Sequence, residues 1–143
     1  MATDVEVIEI RSAKQMEKLG QKLGKTLVGG DVILLSGELG AGKTVFSKGV
    51  ANGLGVTANV SSPTFTLMNE YFGDKLKFCH FDAYRLSGSD EAYGAGFTDF
   101  IGSDGVVCAV EWWENIPDMF DGCNVIKVEI EKTDDGRKVR IER

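Results

Sequence analysis

The sequence predicts an α/β domain built around a mixed parallel and antiparallel sheet. Three observations carry this reading. Val32–Leu35 and Val106–Val110 are short, continuously apolar runs, the mark of strands covered on both faces. Two stretches have apolar residues at helical spacing, one after a capping signal and one after a glycine-rich turn. Two further pairs of strand-like runs flank Gly73-Asp74 and Asp134-Asp135-Gly136, as hairpins do. Strand–helix units mixed with hairpins give a sheet of both pairing senses.

The elements follow in order. Val5, Val7, Ile8 and Ile10 alternate with Asp4, Glu6 and Glu9, which fits a short strand. Ser12 with Gln15 three residues on is a capping box, so a helix starts there. Met16, Leu19 and Leu23 form its apolar stripe, and Gly24 and Gly29-Gly30 end it. Val32–Leu35 is the buried strand. A second helix is expected from Lys43 to Leu54, with Val45, Phe46, Val50 and Leu54 inward and Asn52-Gly53 and Gly55 as its stop. Phe65–Phe72 and Lys75–Phe81 form the first hairpin. A short helix over Leu86–Tyr93 is entered through Ser87 or Ser89, and Phe97–Ile101 adds another helical turn. Val106–Val110 ends at Glu111. Val125, Val128 and Ile130 pair with Val139 and Ile141 in the last hairpin.

Composition bounds the function. The 143 residues suffice for one domain, 1–143, and its apolar and charged fractions are those of a globular chain. A net charge of −6 argues against autonomous binding to nucleic acid or to anionic membranes. No apolar run approaches the length of a membrane span, and the first residues lack the basic and apolar regions of a signal peptide, so a cytoplasmic protein is expected. Cys79, Cys108 and Cys123 are odd in number with no C-x-x-C, which reads as buried reduced thiols. Eighteen glycines against two prolines predict several positions of positive φ or close backbone approach.

The chemistry begins at Gly37-Glu38-Leu39-Gly40-Ala41-Gly42-Lys43-Thr44, which fits G-x-x-x-x-G-K-[ST] at every fixed position. A buried strand delivers the chain to a tight turn. Glycines let successive N–H groups curl round an anion, and the next helix aims its N-terminus at the phosphates. Lys43 is placed to reach the β- and γ-phosphates and the Thr44 hydroxyl to occupy one Mg²⁺ position. With this loop, the α/β reading sharpens to a P-loop NTPase-like three-layer sandwich.

Such a loop needs an acid on the Mg²⁺ side and a group to place water. Asp82 and Glu111 both end apolar strands, where ligands bind in open α/β sheets, and Glu111 is the better match. His80 is either a base or a packed histidine. Arg85 either pairs with Asp82 or reaches a phosphate. Ser61, Ser62, Thr64 and Thr66 form either a polar turn or a γ-phosphate sensor. Trp112-Trp113 is either core or an exposed platform. No N-K-x-D run selects guanine, and no complete L-S-G-G-Q signature follows Leu86-Ser87-Gly88. Only Arg85 of the five arginines lies mid-chain, which leaves a kinase lid without its cations. A slow ATPase that gates a partner remains. The alternatives are a P-loop small-molecule kinase and an ATP-sensing interaction module.

Four segments in this order resemble one family: residues 37–44, Ser62-Pro63-Thr64-Phe65-Thr66-Leu67, His80-Phe81-Asp82-Ala83-Tyr84-Arg85-Leu86 and Val110-Glu111-Trp112. The resemblance is to TsaE (YjeE), the ATPase of bacterial tRNA threonylcarbamoyladenosine biosynthesis, and covers nearly the whole chain. It implies ATP and Mg²⁺ as cofactors and TsaB and TsaD as partners. By that resemblance those partners modify the adenosine beside the anticodon of ANN-decoding tRNAs, and a net charge of −6 fits if they also supply the tRNA contacts. The resemblance further implies an ATPase cycle that resets their complex. The resemblance also assigns roles: Lys43 and Thr44 hold phosphate and Mg²⁺, Glu111 is the second acid on the metal side, and Asp82 lies near the γ-phosphate. Ser62–Thr66, with Thr64, is similar to the family's switch-like loop, and Trp112 to a tryptophan beside the nucleotide. Ser12-Ala13 and Gly136-Arg137 resemble regions that line the adenine. Trp113 stands where the family pattern has a small or polar residue.

Overall fold

The computed structural model describes residues 4–38, 40–60 and 68–143. The strands are β1 (Val5–Ile10), β2 (Val32–Gly37), β3 (Met68–Phe72), β4 (Lys77–Asp82), β5 (Val106–Glu111), β6 (Val125–Lys132) and β7 (Arg137–Glu142). The helices are α1 (Ala13–Gly24), α2 (Lys43–Gly53) and α3 (Ser89–Gly94), with 3₁₀ turns at Phe97–Asp99, Trp113–Asn115 and Pro117–Phe120. One sheet runs β1-β7-β6-β2-β5-β4-β3. β2 pairs in parallel with β5 and β6, and β4 with β5. The two hairpins and the β1–β7 pair are antiparallel.

The side-chain period of two divides the central strands between two cores. Ile33 and Leu35 of β2, Phe78 of β4, and Val107 and Ala109 of β5 face α1 and α2, where Phe46 and Val50 meet them. Val32, Leu34, Cys79, Phe81, Cys108 and Val110 face the other way, against Ala92, Phe97, Ile116 and Phe120. The molecule is thus a three-layer α/β sandwich whose second outer layer consists of α3 and the 3₁₀ turns. Each large aliphatic or aromatic side chain buried this way contributes roughly 1.5–3 kcal/mol.

The sequence reading holds for most elements, with local differences. Ser12 Oγ accepts the Gln15 N–H at 3.1 Å, but the Gln15 side chain returns to the Arg11 N–H at 2.8 Å, one residue before the expected partner. α2 ends one residue earlier than expected, and its buried face also includes Ser47, Gly49 and Ala51, while Val45 is only partly covered. Glycine explains that wider face. α1 and α2 cross so closely that a Cβ on Gly20 would collide with the Phe46 carbonyl, and one on Gly49 with the Glu17 carbonyl. α3 begins at Ser89, not Leu86, and Gly88 occupies its cap position. Ser87 instead donates its hydroxyl to Glu91, and Leu86 is buried in the second core. The first strand of the first hairpin starts at Met68, and its expected residues 65–67 lie outside the described residues. Cys79 and Cys108 are buried free thiols opposite each other in the β4–β5 register.

Candidate functional site

β2, β4 and β5 run parallel and end together. Leu35 and Asp82 both stand opposite Glu111 in their respective registers. β2 leaves the sheet at Gly37, where any side chain would press on the Ile130 carbonyl. The loop turns with Gly40 at φ 78° and Gly42 at φ 115°, both in the left-handed region that glycine adopts without strain. The Ala41 N–H donates to the Glu38 carbonyl at 3.0 Å, and the Phe46 N–H to the Gly42 carbonyl at 2.9 Å, which opens α2. Gly42 has no side chain to cap the helix, so the first N–H groups of α2 keep their positive end for an anion. Lys43 and Thr44 are the first two residues of α2. Leu39 lies outside the described residues.

Glu111 closes the floor of this loop. Its Oε1 lies 3.3 Å from Lys43 Nζ, and its Oε2 accepts the His80 Nε2–H at 2.6 Å. The carboxylate side chain is 8% exposed and His80 is fully buried. Burial pushes the Glu111 carboxyl up; the His80 hydrogen bond and attraction, with the Lys43 ammonium, outweigh it and hold the group below its ordinary value of 4.5. His80 is therefore both packed and part of the site. Its Nδ1 has no hydrogen-bond partner among the described residues. The sequence leaves His80 as either a base or a packed histidine and does not reveal its bond to Glu111, because that contact spans two strands.

Asp82 is half-buried at the end of β4 and accepts the Tyr84 N–H at 2.9 Å, which closes a local turn just after the strand. Arg85 is exposed and makes no ion pair with Asp82 among the described residues, contrary to the pairing weighed from sequence. Trp112 follows Glu111 at φ 58°, the only non-glycine residue with positive φ among the described residues. It is 45% exposed and meets the exposed Tyr84 ring edge-on, with centroids 5.0 Å apart. Trp113 turns the opposite way: its Nε1–H donates to Ser36 Oγ at 2.9 Å, and its ring packs on the second core beneath Lys127. The doublet thus divides into one exposed and one packed ring.

Ala13 and Gly136 come together although 123 positions separate them in the chain. With Arg11, Met16, Gly42 and Arg137 they help to line a cavity of about 310 Å³ beside the loop. Ala13 is the first residue of α1, and Gly136 precedes β7, the partner of β1. The Arg137 guanidinium reaches the loop itself, a contact that no sequence pattern announced. Thr64 and the rest of Ser61–Leu67 lie outside the described residues.

The family model described as "Threonylcarbamoyl adenosine biosynthesis protein TsaE" matches residues 10–140. The chain belongs to the TsaE family. Among TsaE relatives, a protein of Aquifex aeolicus is 44% identical over 137 residues, covering 94% of this chain and 93% of that protein. One of Streptomyces coelicolor is 42% identical over 130 residues, covering 90% and 79%. Both are described as tRNA threonylcarbamoyladenosine biosynthesis proteins. The crystal structure of YdiB from Bacillus subtilis superposes with a TM-score of 0.74 at 29% identity, over 99% of this chain and 87% of that one. The TsaE family is thus one of tRNA threonylcarbamoyladenosine biosynthesis, and its match spans both the loop and the acids. Among the described residues no helix is long and apolar enough to cross a membrane.

Proposed function

We propose that this TsaE-family chain is a Mg²⁺-dependent ATPase that serves threonylcarbamoylation of tRNA. The observation that carries the reading is the buried Lys43–Glu111–His80 chain under a glycine loop at the end of parallel strands. A carboxylate this enclosed would ordinarily lose its charge; here two partners keep it ionised, as an acid on the metal side of a nucleotide must be. The donor set fits magnesium, since Thr44 supplies a hydroxyl and Glu111 a hard anionic oxygen. Bound Mg²⁺ would neutralise charge on the phosphate oxygens. Lys43 is within reach of the same volume and exchanges its Glu111 contact for phosphate. Asp82, at the adjoining strand end, orients the attacking water. The 310 Å³ cavity with Ala13 and Gly136 takes the base, and Trp112, the exposed residue after Glu111, is assigned a place beside the nucleotide by the family resemblance.

The cycle acts on partners: ATP turnover by this chain resets a complex of TsaB and TsaD in the cytoplasm. A net charge of −6 supports tRNA contact mainly through those partners. Purified chain with Mg²⁺–ATP is expected to hydrolyse slowly alone and at a different rate with TsaB and TsaD. Absence of both binding and turnover in either condition overturns the reading. Tight, steeply salt-dependent binding of tRNA by the isolated chain overturns the partner-borne part of it.

A further inference from the structure

Arg137 opens β7 and faces the phosphate loop across about a hundred residues of sequence. Its Nε–H donates to the Ala41 carbonyl at 2.9 Å, and its Nη2 to the Gly40 carbonyl at 3.2 Å. Nη1 donates to the Gly136 carbonyl at 2.7 Å, which fixes the guanidinium itself. The anchor is firm, because the Arg137 backbone sits between two strands, opposite Ile10 of β1 and Lys132 of β6.

The consequence follows from peptide geometry. A trans peptide is planar, so its C=O and N–H point in opposite directions. A carbonyl drawn out toward Arg137 sends the next N–H the other way. For the Gly40–Ala41 peptide that N–H reaches the Glu38 carbonyl at 3.0 Å and closes the turn. For the Ala41–Gly42 peptide it is the Gly42 N–H, at the mouth of α2, that turns away from Arg137. The Gly40–Ala41 plane is held from both ends, by the guanidinium and by that turn hydrogen bond, whereas for the Ala41–Gly42 plane the described residues offer only the guanidinium against a flip that would present a carbonyl oxygen to an anion. The planar fork also offsets the partial negative charge of both carbonyls close to where phosphate would bind.

We propose that Arg137 is a positioning residue for phosphate binding, holding two consecutive peptide planes of the loop so that the Gly42 N–H, at the mouth of α2, faces the anion. This inference rests on the nucleotide reading given above. It differs from a role in lining the base cavity, which Arg137 also borders. The side chain is half-buried at the first residue of β7 and its hydrogen bonds go to backbone carbonyls of the loop and of its own turn, so its replacement should leave the sheet intact.

The test measures binding of Mg²⁺–ATP by calorimetry, and of inorganic tripolyphosphate by displacement of a fluorescent ATP analogue. Wild type, Arg137→Lys and Arg137→Gln are compared, with circular dichroism as the fold check. Both ligands should weaken about 10- to 100-fold in both variants, the range lost when groups that orient a binding residue are removed. Lysine keeps the charge but not the fork, so an Arg137→Lys variant within about twofold of wild type overturns the proposal in favour of charge alone. Weakened ATP with unchanged tripolyphosphate overturns it in favour of the base cavity. Unfolding of both variants would make Arg137 a fold determinant and overturn it as well. If wild type binds neither ligand, the nucleotide reading itself fails, which the same experiment shows separately.

Discussion

Replacing Glu111 by glutamine tests the electrostatic argument at the centre of the site. The carboxylate is 8% exposed, accepts the His80 Nε2–H at 2.6 Å and lies 3.3 Å from Lys43 Nζ. Its carboxyl is held below the ordinary 4.5 despite burial, so the fold binds the ionised form more tightly than the unfolded chain does. Glutamine keeps the shape and removes the charge. The loss at neutral pH should resemble that of a hydrogen bond to a charged group, about 1.5–3 kcal/mol. It should not reach the cost of stranding a buried charge, because Lys43 is 14% exposed and can turn its ammonium to water. With a urea m value of about 1–3 kcal/mol/M, the unfolding midpoint should fall by roughly 1 M. The sign with pH is fixed. A depressed carboxyl contributes stability that is complete above its unfolded value of 4.5 and is lost as pH falls through the lower folded value. The gap between wild type and variant, measured without nucleotide or Mg²⁺, should therefore be full at pH 7 and shrink progressively below pH 4.5. A variant as stable as wild type at pH 7, or a gap that persists undiminished in acid, would refute the reasoning.

Three other outcomes follow from the same geometry. Lys43→Ala should weaken ATP binding by several kcal/mol, the scale of a lost charge-assisted contact to phosphate; unchanged affinity in calorimetry would remove the loop from the site. Asp82→Ala should abolish hydrolysis while leaving ATP affinity within a few-fold of wild type, and an undiminished steady-state rate would exclude it from the chemistry. Gly49→Ala should destabilise by about 1–3 kcal/mol, because the methyl group meets the Glu17 carbonyl where backbone cannot yield cheaply; an unchanged melting temperature would show that the helices are not in close contact.

The fold was legible where local chemistry and burial agree. Val32–Leu35 and Val106–Val110 are apolar throughout because helices or turns cover both faces, and Ser12 announces α1 because its hydroxyl meets the Gln15 N–H. The loop, Lys43, Thr44 and the strand-end acids were legible for the same reason, as each depends on neighbours in sequence. What was missed depends on register between distant segments. His80 meets Glu111 only because β4 and β5 pair with Asp82 opposite Glu111. Trp113 finds Ser36 across 77 residues. The 3₁₀ turns over 113–120 have neither helical period nor strand alternation, and the buried Ile116, Met119 and Phe120 gain their meaning from the sheet beneath them.

The glycines join these levels. Close contact of α1 with α2 at Gly20 and Gly49 fixes how far the N-terminus of α1 stands from the phosphate loop. The Met16 side chain then lies against Gly42, so that a Cβ there would sit 3.2 Å from its Cε. Gly42 thus has two reasons to lack a side chain: its φ of 115° and its contact with α1. Ser12-Ala13 is carried to the edge of the same cavity by that packing, and Gly136-Arg137 by the pairing of β7 with β1. The loop is therefore held from both sides by elements that the motif does not contain. Its shape is a property of the whole sheet and helix layer, and a change in helix packing far from any phosphate should be felt at the loop.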